Sequence, residues 1–179
     1  INFFVLKILI KFEKLKIFIY NQNNLKLDTN MENQSSAGII LIRFKDEKTP
    51  KLLLLRSNNF WDFPKGKLEK NENKLQAAIR ELKEETGITN ISFEWGKVLY
   101  ETEMFGPYRK KVCYFLAKTD IENVVLEKNP TSGLLEHEEY RWVTFEEAKE
   151  LTVGRINKAL EWVNSYLVKG YDIHLKENV

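Results

Sequence analysis

Three glutamates, Glu81, Glu84 and Glu85, fall at i, i+3 and i+4 within the stretch GKLEKNENKLQAAIRELKEETGI, residues 66–88. Leu75, Ala78, Ile79 and Leu82 repeat at helical spacing through it, so the segment reads as a helix. The three carboxylates then project from one strip of that helix. Like charges at these spacings repel by about 0.2–0.5 kcal/mol per pair, and carboxylates near a helix C-terminus oppose the macrodipole. An ordinary solvated face would carry Glu early and Lys late; here Lys74 is early and Glu84 and Glu85 are late. A hard divalent cation would offset the repulsion, since Mg2+ takes oxygen ligands from a few carboxylates, waters and substrate phosphates.

The elements that must position these residues can be read on either side. AGIILIRF (37–44) is a buried strand, DEKTP (46–50) a turn and KLLLLR (51–56) a second strand, which together make a hairpin. SNNFWDFPKGKLEKNEN reads as a loop into the helix, with Asn71 or Asn73 as N-cap. Gly87 reads as the left-handed residue that ends the helix. ISFEWGKVLYETEMF (91–105) contains strand material, Gly106-Pro107 a turn, and KKVCYFLAK (110–118) a strand apolar on both faces and therefore central. A long loop (127–139) leads to a short strand, EYRWV (139–143). Thr144 and Glu147 form a capping box, and Ile156, Leu160, Val163 and Leu167 mark a final amphipathic helix. Strands mixed with two substantial helices predict a mixed sheet held between helices.

Composition narrows the classes. With 179 residues and 43% hydrophobic content the chain can bury one real core. A net charge of +2 gives no global case for nucleic-acid or membrane binding. The single cysteine, Cys113, excludes an intramolecular disulfide framework and suits a reducing, cytoplasmic setting. His137 and His174 do not make a zinc site, and no Ser-His-Asp or Cys-His arrangement stands out. The first 30 residues contain no Ala, Gly, Pro, Ser, Arg or Met. They read as a leader of translated upstream sequence ahead of Met31, with a basic amphipathic surface helix as the rival reading. Lys7, Lys11, Lys14 and Lys16 interrupt every apolar run, which argues against a spanning helix or signal peptide. The division expected is a leader at 1–35, one domain at 36–168 and a tail at 169–179.

Gly66, Glu72, Arg80, Glu81, Leu82, Glu84, Glu85, Gly87 and Ile88 fit the pattern G-x5-E-x7-R-E-U-x-E-E-x-G-U at all nine positions, U being a bulky aliphatic residue. The segment resembles the Nudix box. That resemblance, which extends from about Ser36 to Leu167, implies an α/β fold of the α/β/α sandwich type with a mixed β-sheet between helices. It implies hydrolysis of a nucleoside diphosphate linked to another group, with Mg2+ or Mn2+ as cofactor. By the same resemblance Glu81, Glu84 and Glu85 are metal ligands, Glu81 activates the attacking water and Arg80 orients Glu81. Glu72 ties the loop to the helix, and Gly66 and Gly87 supply backbone freedom. A further ligand is expected from LLEHEEYRW, with Glu136 the best candidate and Glu138 and Glu139 its rivals. The chemistry suits the residue types. A divalent cation neutralises phosphate charge and makes water a better acid. A carboxylate takes the proton, and the rest is positioning of an in-line displacement.

Three stretches outside the box resemble the asymmetrical diadenosine tetraphosphatases, a subgroup of that family. These are WDFPKG (61–66), RKKVCYFLA (109–117) and HEEYRW (137–142). The resemblance implies that Lys65 and Lys110 contact phosphates and that Tyr140 stacks on a base, with Phe105 or Tyr108 on the opposite face. The chain departs from the subgroup at Phe63, where it often has a second proline, and at Lys67, where a histidine is common. The implied reaction cuts diadenosine tetraphosphate into ATP and AMP, by a monomer acting on free nucleotide with no stable nucleic-acid or membrane partner. The alternatives are a 5′-RNA pyrophosphohydrolase, a diphosphoinositol polyphosphate phosphohydrolase and a non-catalytic binding module, whose usual degraded box is not seen here.

Overall fold

The computed structural model describes residues 35–44, 49–106, 109–128, 133–152 and 154–177, with side chains described as far as 167. The leader, most of the turn at 46–50, and Pro107 with the site candidate Tyr108 lie outside the described residues.

β1 (Ser35–Phe44) is the spine of a mixed sheet. It pairs in parallel with β6 (Lys111–Lys118), from Ser35 opposite Lys111 to Ile42 opposite Lys118. Its other edge is shared. The C-terminal part pairs antiparallel with β2 (Pro50–Ser57), and the N-terminal part with β4 (Lys65–Lys67). β2 carries β3 (Phe60–Asp62) beyond β1 and takes β7 (Glu139–Val143) on its opposite edge, while β5 (Leu99–Glu101) closes the sheet beside β6. β3 and β4 differ from the sequence reading, which makes this stretch a loop. Each is only three residues long, too short for a periodicity to show, and each is fixed by register with a longer strand.

The strands are apolar on both faces because both faces are covered. One core contains Ile40, Ile42, Leu52, Leu54, Val112, Tyr114 and Leu116. It packs against Ile156, Ala159, Leu160, Val163 and Leu167 of α3 (Arg155–Glu177). The alternate residues, Ile39, Leu41, Leu53, Leu55, Cys113 and Phe115, pack against Ala77, Ala78 and Leu82 of α1 (Lys74–Thr86). The result is a mixed sheet sandwiched between helices, as the sequence predicts. A short third helix, α2 (Phe145–Leu151), follows the Thr144–Glu147 capping box. α3 runs on to Glu177, into the stretch from 169 that the sequence reading gives as a tail. Among the described residues no helix is long and apolar enough to cross a membrane.

α1 begins at Asn73 rather than Asn71. The Asn73 side chain accepts from the Gln76 backbone N–H at 2.9 Å, and the Gln76 side chain accepts from the Asn73 N–H at 3.0 Å. Asn71 instead sits in the left-handed region at φ 69°. Gly87, at φ 70°, ends the helix, and its N–H donates to Lys83 O at 2.8 Å. The buried stripe differs by one residue from the expected one: Ala77 is inside and Ile79 is 39% exposed. Asn73→Ala removes the bond that the Asn73 side chain accepts from the Gln76 N–H and is expected to cost about 1 kcal/mol, or roughly 2–4 °C in Tm for a chain of this size. A thermal melt checks it, and an unchanged Tm would show that the cap does not anchor the helix.

Candidate active site

A cleft of ≈ 590 Å³ opens where the start of β1, β4 and the C-terminal half of α1 meet. At its acidic end stand Glu81, Glu84, Glu85, Glu136 and His137; Lys65, Lys110, Arg155 and Phe105 line it as well.

The acidic end is organised by Arg80, whose five N–H groups are all used. Nε and Nη2 form a fork on the Glu72 carboxylate, both at 2.9 Å. Nη2 also reaches Lys67 O at 3.0 Å, and Nη1 bonds Glu81 Oε1 at 2.8 Å and Glu84 Oε2 at 3.1 Å. Glu72 in turn accepts from the Glu69 N–H at 3.1 Å, so loop and helix are locked together. Arg80 holds the Glu72 carboxyl below the usual carboxylate range. Glu81 is half-buried, and burial pushes its carboxyl up against the opposing pull of Arg80. Glu84 remains exposed. The repulsion noted in the sequence is therefore already offset at two of the three glutamates by a cation within the motif.

Glu85 differs from its neighbours. It is only 6% exposed. Its Oε2 accepts from the Lys65 backbone N–H at 3.0 Å, and its Oε1 lies 3.0 Å from His137 Nε2. The last two atoms are not aligned as donor and acceptor, and both are buried without a hydrogen-bond partner. Burial pushes the Glu85 carboxyl up, with His137 pulling it down. Buried oxygen and nitrogen atoms left in this state, beside Glu136, fit a divalent cation. Glu85 and Glu136 would hold it. Of the rivals to Glu136, Glu138 and Glu139 pair with Arg56 at 3.4 and 3.2 Å and do not line the cleft.

Gly66 acts through space rather than through backbone freedom. A Cβ there would lie 1.9–2.1 Å from the Glu81 carboxylate atoms. Only glycine lets that carboxylate sit against β4.

The basic end is tied to Asp62. Asp62 Oδ1 accepts from the Phe63 N–H and from the Tyr114 hydroxyl, both at 2.8 Å. Its Oδ2 pairs with Lys65 Nζ at 3.5 Å and with Arg155. Phe63, the departure from the subgroup pattern, is fully buried with its ring edge on Tyr114, centroids 5.4 Å apart. Phe105 and Lys110 are placed by a two-way bridge, with N···O distances of 3.0 and 2.9 Å. The Arg155 guanidinium stands 4.4 Å over the Phe105 ring. Arg155 was missed in the sequence, because its first-turn position on α3 gives no local signal. His137 was dismissed once it made no pair with His174. Tyr140 is not brought to this cleft. It sits opposite Leu55 on β7, packs against the α1-side core, and lines a separate hollow with Arg141 and Trp142.

Two outcomes follow from this geometry. Gly66→Ala must displace the Glu81 carboxylate, so turnover is expected to fall by about 10² or more while the circular-dichroism spectrum is unchanged. For Glu85, a folded-state pKa raised above the ordinary value favours the protonated form in the fold. That contribution is complete below the ordinary carboxylate pKa and is lost as pH rises through the raised one. In metal-free protein Glu85→Gln should therefore raise stability at pH 7.5, by about 1 kcal/mol, and the gain should vanish near pH 4. Melts at both pH values measure it, and an equal effect at both would rule out the buried charge as its source.

Comparison with known proteins places the family and the fold. Residues 32–163 match the family model described as the NUDIX domain. The chain is 34% identical over 137 residues to the asymmetrical bis(5′-nucleosyl)-tetraphosphatase of Mus musculus, covering 69% of this chain and 88% of the relative. It is 30% identical over 139 residues to an RNA pyrophosphohydrolase of Pelagibacter ubique, covering 69% and 84%. A binary complex of a C. elegans Ap4A hydrolase superposes with a TM-score of 0.66 at 26% identity, over 76% of this chain and 98% of that one. The chain belongs to the Nudix hydrolase family, whose members act on pyrophosphate bonds.

Proposed function

We propose that the chain hydrolyses dinucleoside polyphosphates and cuts diadenosine tetraphosphate unequally into ATP and AMP, with Mg2+ or Mn2+ as cofactor. The observation that carries this reading is the joining of a carboxylate cluster to a row of cations and an aromatic ring within one cleft. The similarity to asymmetrical bis(5′-nucleosyl)-tetraphosphatases supports it. Nudix hydrolases generally use divalent metals. When bound, the cation neutralises phosphate charge and makes water more acidic.

The side chains divide the rest of the work. Glu81 accepts the proton of the attacking water. Its half-burial makes it a stronger base than an exposed carboxylate, and Arg80 fixes its orientation through Nη1. Glu81, Glu84, Glu85 and Glu136 supply the oxygen ligands. Lys65, Lys110 and Arg155 hold the polyphosphate. Phe105, with the Arg155 guanidinium over its ring, offers a flat cationic face to a purine. Tyr140 serves the base only if the nucleotide reaches the neighbouring hollow, so Phe105 is the stronger candidate. The chain acts as a monomer on free nucleotide.

A second reading, 5′-RNA pyrophosphohydrolase, is favoured by the 30% identity to such an enzyme. The two readings separate on products. With diadenosine tetraphosphate and Mg2+, chromatography should show ATP and AMP in equal amounts and no ADP. Phe105→Ala should weaken binding of that substrate by about 1–3 kcal/mol and leave base-free polyphosphates unaffected. ADP as the sole product, or no cleavage beside rapid pyrophosphate release from triphosphorylated RNA, would overturn the proposal.

A further inference from the structure

The buried imidazole of His137 has no place in the chemistry described so far. It is 6% exposed, and neither ring nitrogen has a hydrogen-bond partner among the described residues. An imidazole left so would cost about 1–3 kcal/mol if nothing compensated it. Its surroundings supply no proton donor or acceptor in line; they supply carboxylates. One ligand atom from each of Glu85, Glu136 and His137 lies within 4.8 Å of the others, and Glu85 Oε1 is itself buried and without a hydrogen-bond partner.

The spacing of the closest pair is informative. Glu85 Oε1 and His137 Nε2 are 3.0 Å apart without hydrogen-bond alignment. Two neighbouring ligands on an octahedral ion with bonds of about 2.1 Å sit about 3.0 Å apart. Two carboxylates and a neutral imidazole also balance one dication, and the nitrogen changes which dication is preferred. Mg2+ takes oxygen ligands and gains little from imidazole, whereas Mn2+, Fe2+, Co2+ and Zn2+ accept it readily.

We propose that His137 is a metal ligand, binding through Nε2 beside Glu85 and Glu136, and that it tilts this site from Mg2+ toward divalent transition-metal cations such as Mn2+. The proposal rests on the reading of Glu85 as a metal ligand. His137 thereby sets cofactor selectivity, a task that the all-oxygen box glutamates cannot perform.

The test uses Mn2+ alone with tag-free full-length protein and needs no turnover. Loss of the free Mn2+ electron paramagnetic resonance signal reports binding, and pulsed measurement of the bound ion reports directly coordinated nitrogen. The expected result is a ¹⁴N coupling that becomes a ¹⁵N coupling when only histidine is ¹⁵N-labelled. The chain has two histidines, so His174→Gln should keep the coupling and His137→Gln should lose it. His137→Gln should also lower the Mn2+-to-Mg2+ affinity ratio on the order of tenfold or more. The labelling readout stands even if that variant does not fold. Bound Mn2+ without histidine nitrogen coupling would overturn the role of His137 and leave the carboxylate site intact. Failure to bind Mn2+ at all would overturn both. A coupling that survives His137→Gln, or is lost in His174→Gln, would assign the nitrogen elsewhere.

Discussion

The site depends on one saturated guanidinium. Arg80 spends all five N–H groups on Glu72, Glu81, Glu84 and the Lys67 carbonyl. A planar fork with fixed bond directions can serve three carboxylates and a backbone oxygen at once, whereas a lysine ammonium has three donors and no preferred plane. Three separate pieces of chain are thereby referred to a single rigid group: the end of β4, the loop before α1, and the helix itself. Glu81 is held between Arg80 on one side and the bare backbone of Gly66 on the other, so its carboxylate has little freedom left to lose on reaction.

The sheet explains why this arrangement can be built where it is. β1 pairs with β6 along one edge and divides the other between β2 and β4. That division leaves β4 running beside the start of β1, directly under α1. The Lys65 N–H, which points off the strand, is then spent on Glu85 rather than on a neighbouring strand. The long packed edges give rigidity, and the short strand gives access. Sites built on regular elements hold geometry more tightly than sites on loops.

Legibility followed the range of each signal. The helix, its caps and the four longer strands were visible because their periodicity and capping chemistry are local. Asn73 and Gln76 are three residues apart, and the apolar runs of β1, β2 and β6 announce burial on both faces. The glutamate strip was visible for the same reason, but its meaning was misjudged in part: Arg80, four residues before Glu84, already balances much of the charge. The burial of Glu85 is not legible, because helical spacing alone does not say that His137, 52 residues away, covers it. β3 and β4 were missed because their existence is decided by partners and not by their own residues. Arg155 lies 93 residues from Asp62, and nothing short of the folded chain brings them together. Tyr140 faces where the pleat of β7 sends it, opposite Leu55, and a motif match carries no information about which hollow that face lines.

Asp62 has a consequence for how the cleft meets an anion. Its carboxylate sits between Lys65 and Arg155 while also receiving the Tyr114 hydroxyl and the Phe63 N–H. It is an internal counter-ion, fixed in place by neutral donors that do not depend on the cations. Small anions in solution therefore meet two positive groups already screened from within, and gain little by docking there. On the proposed function, a polyphosphate with several oxygens on one backbone would engage both cations together and outcompete a single carboxylate by multivalency rather than by raw charge. Each product fragment would hold fewer of those contacts, leaving Asp62 to recover its partners. On the proposed function, the same residue that restrains the basic side chains in the fold would compete with the products for Lys65 and Arg155 and so favour their departure.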